Sequence, residues 1–232
     1  TLNGEGLQHQ DGHSLLLAST VPCCVSYDPA FSYEVATIIG EGLRRMYGKK
    51  EDVFYYLTLY NENYDHPPMP AGVEEGILKG IYRLRGAGIE NKRRVRLLGS
   101  GSLLPQVVAA AQILENDYQV AADVYSVTSY QQLRHDALTK ERHALLHPGA
   151  AAEVPYVTQI LPKAGGPVIA VSDFMRQIPD MISRWVPAGL TPLGTDGFGL
   201  SDSREALRRF FEVDAAAVVV TADQPSDEIL AR

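Results

Sequence analysis

Residues 94–127 read RVRLLGSGSLLPQVVAAAQILENDYQVAADVYSV, and this stretch decides the fold. Arg94–Leu98 and Ala121–Val127 are short apolar runs of the kind that form strands. Between them a helix is predicted from about Leu104 to Tyr118, entered through Gly99-Ser100-Gly101-Ser102. Strand, helix and strand in that order make a crossover unit, which requires a parallel pair. Moving outward, the alternation repeats. Downstream, helices are predicted over 129–142, near 156–161 and over Phe174–Val186, with strands at Val168–Val171 and 190–194. Ser203–Phe211 is amphipathic, with Leu207, Phe210 and Phe211 placed on one side. Residues 214–222 (DAAAVVVTA) are ambiguous: the valines favour a strand, while Asp214 as an N-cap and the alanines favour a helix.

Upstream, Val21–Tyr27 reads as a buried strand, residues 31–47 as a helix and Val53–Tyr60 as a strand. Asp65-His66-Pro67-Pro68-Met69-Pro70 cannot be regular structure, because its prolines remove donors and fix φ, and it is the best domain boundary in the chain. A short helix over 73–79 and a strand over 80–84 follow it. The expected class is α/β, with mainly parallel sheets flanked by helices.

Composition bounds the function. With 232 residues, 45% apolar and 21% charged, the chain can bury a sizeable core. A formal charge of −7 disfavours nonspecific binding to nucleic acid or to an anionic membrane. Lys92-Arg93-Arg94 is too short to reverse this and reads as a solvated turn. No apolar run reaches about 18 residues, the length a membrane span needs. Cys23 and Cys24 are adjacent, where a disulfide is strained, and are expected to be reduced and buried in an intracellular protein.

Chemistry concentrates in the first residues. Glu5, His9, Asp11 and His13 fall within nine residues of one another, among Gly4, Gly6 and Gly12, which free the backbone and let a ligand come close. Histidine suits proton transfer near neutral pH, and a neighbouring carboxylate can orient it. His9 and His13 could also be metal ligands, although Gly12 weakens a helix between them and no HExxH pattern is present. A polar loop without chemistry is the third reading. Gly99-Ser100-Gly101-Ser102 has the look of a phosphate cradle but lacks the P-loop lysine and the full dinucleotide fingerprint, so a tight strand-to-helix turn is expected there.

Residues 1–14, TLNGEGLQHQDGHS, resemble the active-site loop of homodimeric-type pyruvate dehydrogenase E1 subunits. The resemblance continues in order through Ser26–Ala30, Tyr60–Tyr64 with Met69-Pro70, Leu97–Ser102, Asp123–Ser129, Leu193–Gly199, Ser201–Arg204 and Phe211–Asp214, so it covers nearly the whole chain. The family is transketolase-like. The resemblance implies that residues 1–70 are the last part of a pyrimidine-binding domain and residues 71–232 a transketolase C-terminal-like domain, and it favours a helix at 214–222.

By the same resemblance the first histidine of GLQHQDG, His9, faces the thiamine ring and the substrate. There it hydrogen-bonds a developing oxyanion or the aminopyrimidine and transfers protons. Glu5, Asp11 and His13 would support it or contribute to a dimer interface. The implied cofactors are thiamine diphosphate and Mg²⁺. Their main ligands, a GDG motif followed by an asparagine, and the carboxylate that activates the aminopyrimidine are expected upstream of Thr1; Asp196-Gly197 stands in a different context, TDGFG. The implied activity is oxidative decarboxylation of pyruvate with reductive acetylation of lipoyl groups on the dihydrolipoyl acetyltransferase E2, by a cytoplasmic homodimer. The opening on a Gly-rich polar loop at Thr1 points to a C-terminal fragment that is inactive by itself. The alternatives are a non-catalytic dimerisation or assembly module, and a related transketolase or other 2-oxo-acid dehydrogenase.

Overall fold

A computed structural model describes residues 1 and 6–223 of the chain. In order, it contains helix α1 (Ser14–Ala18), strand β1 (Cys24–Tyr27), α2 (Ser32–Leu43), β2 (Phe54–Leu57), α3 (Glu74–Lys79), β3 (Tyr82–Arg85), β4 (Arg94–Gly99) and α4 (Leu104–Asp117). Then come β5 (Ala121–Ser126), α5 (Tyr130–Leu146), α6 (Tyr156–Ile160), β6 (Val168–Ser172), α7 (Gln177–Asp180), β7 (Leu190–Gly194), α8 (Arg204–Phe210) and α9 (Ala215–Asp223).

The stretch 94–127 forms the centre. β4 pairs parallel with β5 on one side and β6 on the other, Leu97 lying opposite both Val124 and Ile169. β7 continues the parallel sheet beyond β6, and β3 closes the other edge antiparallel, giving the order β3-β5-β4-β6-β7. A strand buried on both faces is mostly apolar, and the one buried charge of β4, Arg96, donates to the carbonyls of Pro162 at 2.6 Å and Gly166 at 2.7 Å. Val95 and Leu97 pack with α4 and α9 on one face, and Leu98 packs with α5, α6 and α7 on the other. The chain leaves β4 towards β5 and leaves β6 towards β7. The connections therefore diverge, and a crevice opens at the carboxyl ends of β4 and β6.

The upstream residues form a second, two-stranded parallel sheet, with Cys24 opposite Phe54 and Tyr27 opposite Leu57. It shares a small core with α2, α3 and β3 through Val25, Tyr27, Ile38, Ile77 and Tyr82. Buried charges fasten it to the larger sheet. The Glu34 carboxylate on α2 is fully buried. It accepts hydrogen bonds from Phe31 N–H (3.0 Å), Tyr82 OH (2.7 Å) and Ser126 OH (2.6 Å). Glu62 pairs with Arg208 of α8, whose Nη1 lies 3.0 Å from Oε1.

Several expectations need correction. The helix over Phe174–Val186 is broken into α7 and a 3-10 turn at Ser183–Trp185. Pro179 has no N–H and is accommodated only near the start of a helix, so α7 ends one residue after it. On α8, Leu207 is buried but Phe210 is 67% exposed, so the two do not share a side. Cys23 is half-buried rather than buried, while Cys24 is buried, and both thiols are free. The strand at Val53–Tyr60 is limited to Phe54–Leu57; Thr58 N–H still reaches the Tyr27 carbonyl, and Leu59 and Tyr60 leave the ladder. The ambiguous 214–222 segment is helix α9, with Asp214 Oδ1 accepting from Ala217 N–H at 2.9 Å. No helix among the described residues is long and apolar enough to cross a membrane.

Candidate active site

The loop ahead of α1 is built by its own polar residues. Asp11 Oδ1 accepts the N–H groups of His13 and Ser14, each at 2.9 Å, and so caps the free donors that start α1. The Gly12 carbonyl accepts from Met175 N–H at 3.1 Å. A Cβ on Gly12 would lie 2.1 Å from the carbonyl oxygen of Gly197. Gly12 is therefore required by the close approach of the TDGFG loop after β7, not by a ligand. The His13 ring rests 4.4 Å from the ring of Phe198 in that same loop. His9 ends a 3-10 turn, Leu7–His9, and is exposed.

His9 and Asp11 line one cleft of 330 Å³. His13 stands behind it on Phe198, and Glu5 lies outside the described residues. Across from His9 the wall consists of Tyr56, Thr58 and Tyr60 from β2 and the chain after it. The floor is Asp173 and Phe174 after β6, with Thr195 after β7. The cleft thus opens at strand carboxyl ends, where open parallel sheets bind ligands. Its lining includes Asp11 and Asp173, the latter paired with the Thr1 ammonium at 2.9 Å, but no lysine or arginine. The side-chain polar atoms of Gln10 and Thr195 Oγ1 are buried there without hydrogen-bond partners. Such a site suits a neutral or cationic ring that brings its own donors and acceptors, and does not suit a diphosphate. Among the described residues no group of three or more His, Cys, Asp or Glu is arranged to hold a metal ion.

Beneath the Tyr60 wall lies Asp28. Its Oδ1 accepts from Thr58 OH and Tyr60 OH, both at 2.6 Å. Burial pushes the Asp28 carboxyl up to about 6; the Thr58 and Tyr60 hydroxyls offset part of this, and the Asp173 carboxylate adds to it. Burial, with the Asp28 charge beside it, raises Tyr60 well above the usual phenol range. Sequence reasoning singled out neither Asp28, Tyr60, Asp173 nor Thr195 as a functional residue. The available signals were an acid bounding the apolar run before Pro29, and polar residues within two positions of the ends of two predicted strands.

Two family models match the chain in succession: the pyruvate dehydrogenase E1 component middle domain over residues 1–67, and the transketolase-like C-terminal domain over residues 80–214. The chain belongs to the transketolase-like family. Within it, the chain is similar to the pyruvate dehydrogenase E1 component of Mycolicibacterium smegmatis, with 53% identity over 97% of the chain and 24% of the relative. The E1 component of Escherichia coli is 55% identical over 96% of the chain and 25% of the relative. The chain therefore spans about a quarter of the length of these curated relatives. Transketolase from Leishmania mexicana superposes with a TM-score of 0.69 at 18% identity, covering 98% of this chain and 29% of that one, a likeness of fold.

Proposed function

We propose that the chain is part of a thiamine-diphosphate-dependent pyruvate dehydrogenase E1 subunit. Residues 1–70 would complete a pyrimidine-binding domain, and residues 71–232 would form the C-terminal domain. The observation that carries this reading is the GLQHQDGH loop, which presents His9 to a cleft at strand carboxyl ends in a chain 53% identical to such a component.

The cleft walls fit the ring portion of thiamine diphosphate, since they combine aromatic surface, unpartnered polar atoms and two carboxylates. They do not fit its diphosphate, so Mg²⁺ and the phosphates would be held by residues outside these walls. The cofactor, when bound, supplies the electron sink for breaking the bond to the carboxyl carbon of pyruvate. His9, at the rim, moves a proton between an imidazole nitrogen and the substrate oxygen. Tyr56, Tyr60 and Phe174 exclude water from the floor. Leu59, Phe198 and Leu200 are 70%, 66% and 44% exposed in the lining of the cleft, an apolar rim suited to a second copy of the subunit. As part of the same proposal, the subunit would pass its acetyl group to a lipoyl-bearing acetyltransferase E2 and work in the cytoplasm. A separate chain of these residues alone is expected to be an inactive assembly module.

The test is turnover by the full-length subunit with thiamine diphosphate, Mg²⁺, pyruvate and a lipoyl domain. The expected result is carbon dioxide release with acetylation of the lipoyl group. Turnover of a ketose phosphate and none of pyruvate would favour the transketolase reading.

A further inference from the structure

The carboxyl ends of β4 and β6 mark the point where the strand order reverses, the place at which an open parallel sheet normally leaves room for a ligand. Asp28 fills it. Gly101 N–H, at the entry to α4, donates to the Asp28 carbonyl at 3.2 Å, and Asp28 N–H donates to the Thr128 carbonyl at 2.7 Å. Gly101 has φ +48°, and a Cβ there would lie 2.5 Å from Tyr60 OH and 2.6 Å from Asp28 Oδ1. No bound anion fits between this turn and Asp28. The cradle-like Gly99-Ser100-Gly101-Ser102 segment is occupied from within the chain.

From that anchorage Asp28 holds two residues of the cleft wall, Thr58 and Tyr60. Thr58 is also fixed by its N–H to the Tyr27 carbonyl at 3.1 Å. Tyr60 has left the β2 ladder, and among the described residues it makes no backbone hydrogen bond. Its ring position rests on apolar packing and on the bond to Asp28. We infer that Asp28 is a positioning residue: fixed to the β4–α4 turn, its carboxylate sets where the Tyr60 ring stands on the cleft wall, so the larger domain shapes the substrate side of the cleft. The kinetic part of this inference rests on the reading under Proposed function.

The test compares Asp28→Ala, Asp28→Asn, Tyr60→Phe and the Asp28→Ala/Tyr60→Phe double variant in the full-length subunit. A wall displaced by about 1 Å should lower kcat/KM for pyruvate about tenfold in Asp28→Ala and in Tyr60→Phe, and the double variant should be no worse than Asp28→Ala. Asn keeps an acceptor for both hydroxyls and should recover activity to within about threefold, with cofactor affinity unchanged. Fluorine NMR of 3-fluorotyrosine-labelled protein, with Tyr60→Phe assigning the resonance, should show Tyr60 shifted in Asp28→Ala and restored in Asp28→Asn. Additive losses in the double variant, or a Tyr60 resonance that ignores Asp28, would overturn the inference. Absence of pyruvate turnover in the unmodified subunit would instead defeat the functional reading, and the NMR comparison would still decide the positioning role.

Discussion

Asp28→Asn is expected to stabilise the chain above pH 6 and to leave it nearly unchanged at pH 4. The Asp28 carboxyl is pushed from its ordinary 3.8 up to about 6, chiefly by burial, with Asp173 across the crevice adding repulsion. The other groups facing it, the hydroxyls of Thr58, Tyr60, Ser100 and Tyr130, remain neutral in this range. A raised carboxyl means that the folded state prefers the proton. The associated stability is fully present below pH about 4 and is lost as pH rises through about 6. The distance between 3.8 and about 6 corresponds to about 3 kcal/mol at neutral pH and above. Asn removes the titration but weakens two hydrogen bonds, at a cost of about 1 kcal/mol. Urea denaturation of both proteins at pH 4, 6 and 8 isolates the effect, because their remaining titrations cancel in the difference. The stability of the Asn variant relative to the parent should climb by about 2 kcal/mol between pH 4 and pH 8. A difference flat across pH, or one that falls, would refute a buried carboxyl of this kind.

Gly12→Ala should displace the TDGFG loop, because its new Cβ meets the Gly197 carbonyl at 2.1 Å. A loss of about 1–3 kcal/mol in thermal or urea unfolding is expected, and an unchanged midpoint would mean that the loops do not touch. Glu34→Ala should cost about 3–5 kcal/mol, since it leaves the Ser126 hydroxyl and two backbone donors unpaired in the core and leaves the Tyr82 hydroxyl only Tyr33 as a partner. A cost below about 1 kcal/mol in the same assay would show that this buried network is not formed.

The parallel sheet was legible because β4, β5 and β6 are short runs rich in apolar residues and their helices carry ordinary signals. Ser129 and Ser203, for example, cap α5 and α8 through hydrogen bonds to Gln132 and Ala206 N–H. The helix at 215–223 was not decided by local chemistry, since its valines favour a strand and packing against α4 wins. The break at Pro179 was available locally and was outweighed by the apolar run around it. In the site, clustering identified the loop, but that His9 and Asp11 line a cleft is visible only in the fold. It did not foresee that Gly12 and His13 serve the TDGFG loop nearly two hundred residues away, because periodicity carries no long-range partner. Asp28 was hidden for the same reason: its partners Tyr60, Gly101 and Thr128 meet only after the two sheets assemble.

The most direct test of the central claim is His9→Ala in the full-length subunit, with pyruvate turnover and thiamine diphosphate affinity measured together. Proton transfer by His9 predicts that kcat falls at least about a hundredfold while cofactor affinity changes by less than about threefold. Lost cofactor binding, with residual holoenzyme turning over pyruvate at the unmodified rate, would contradict it.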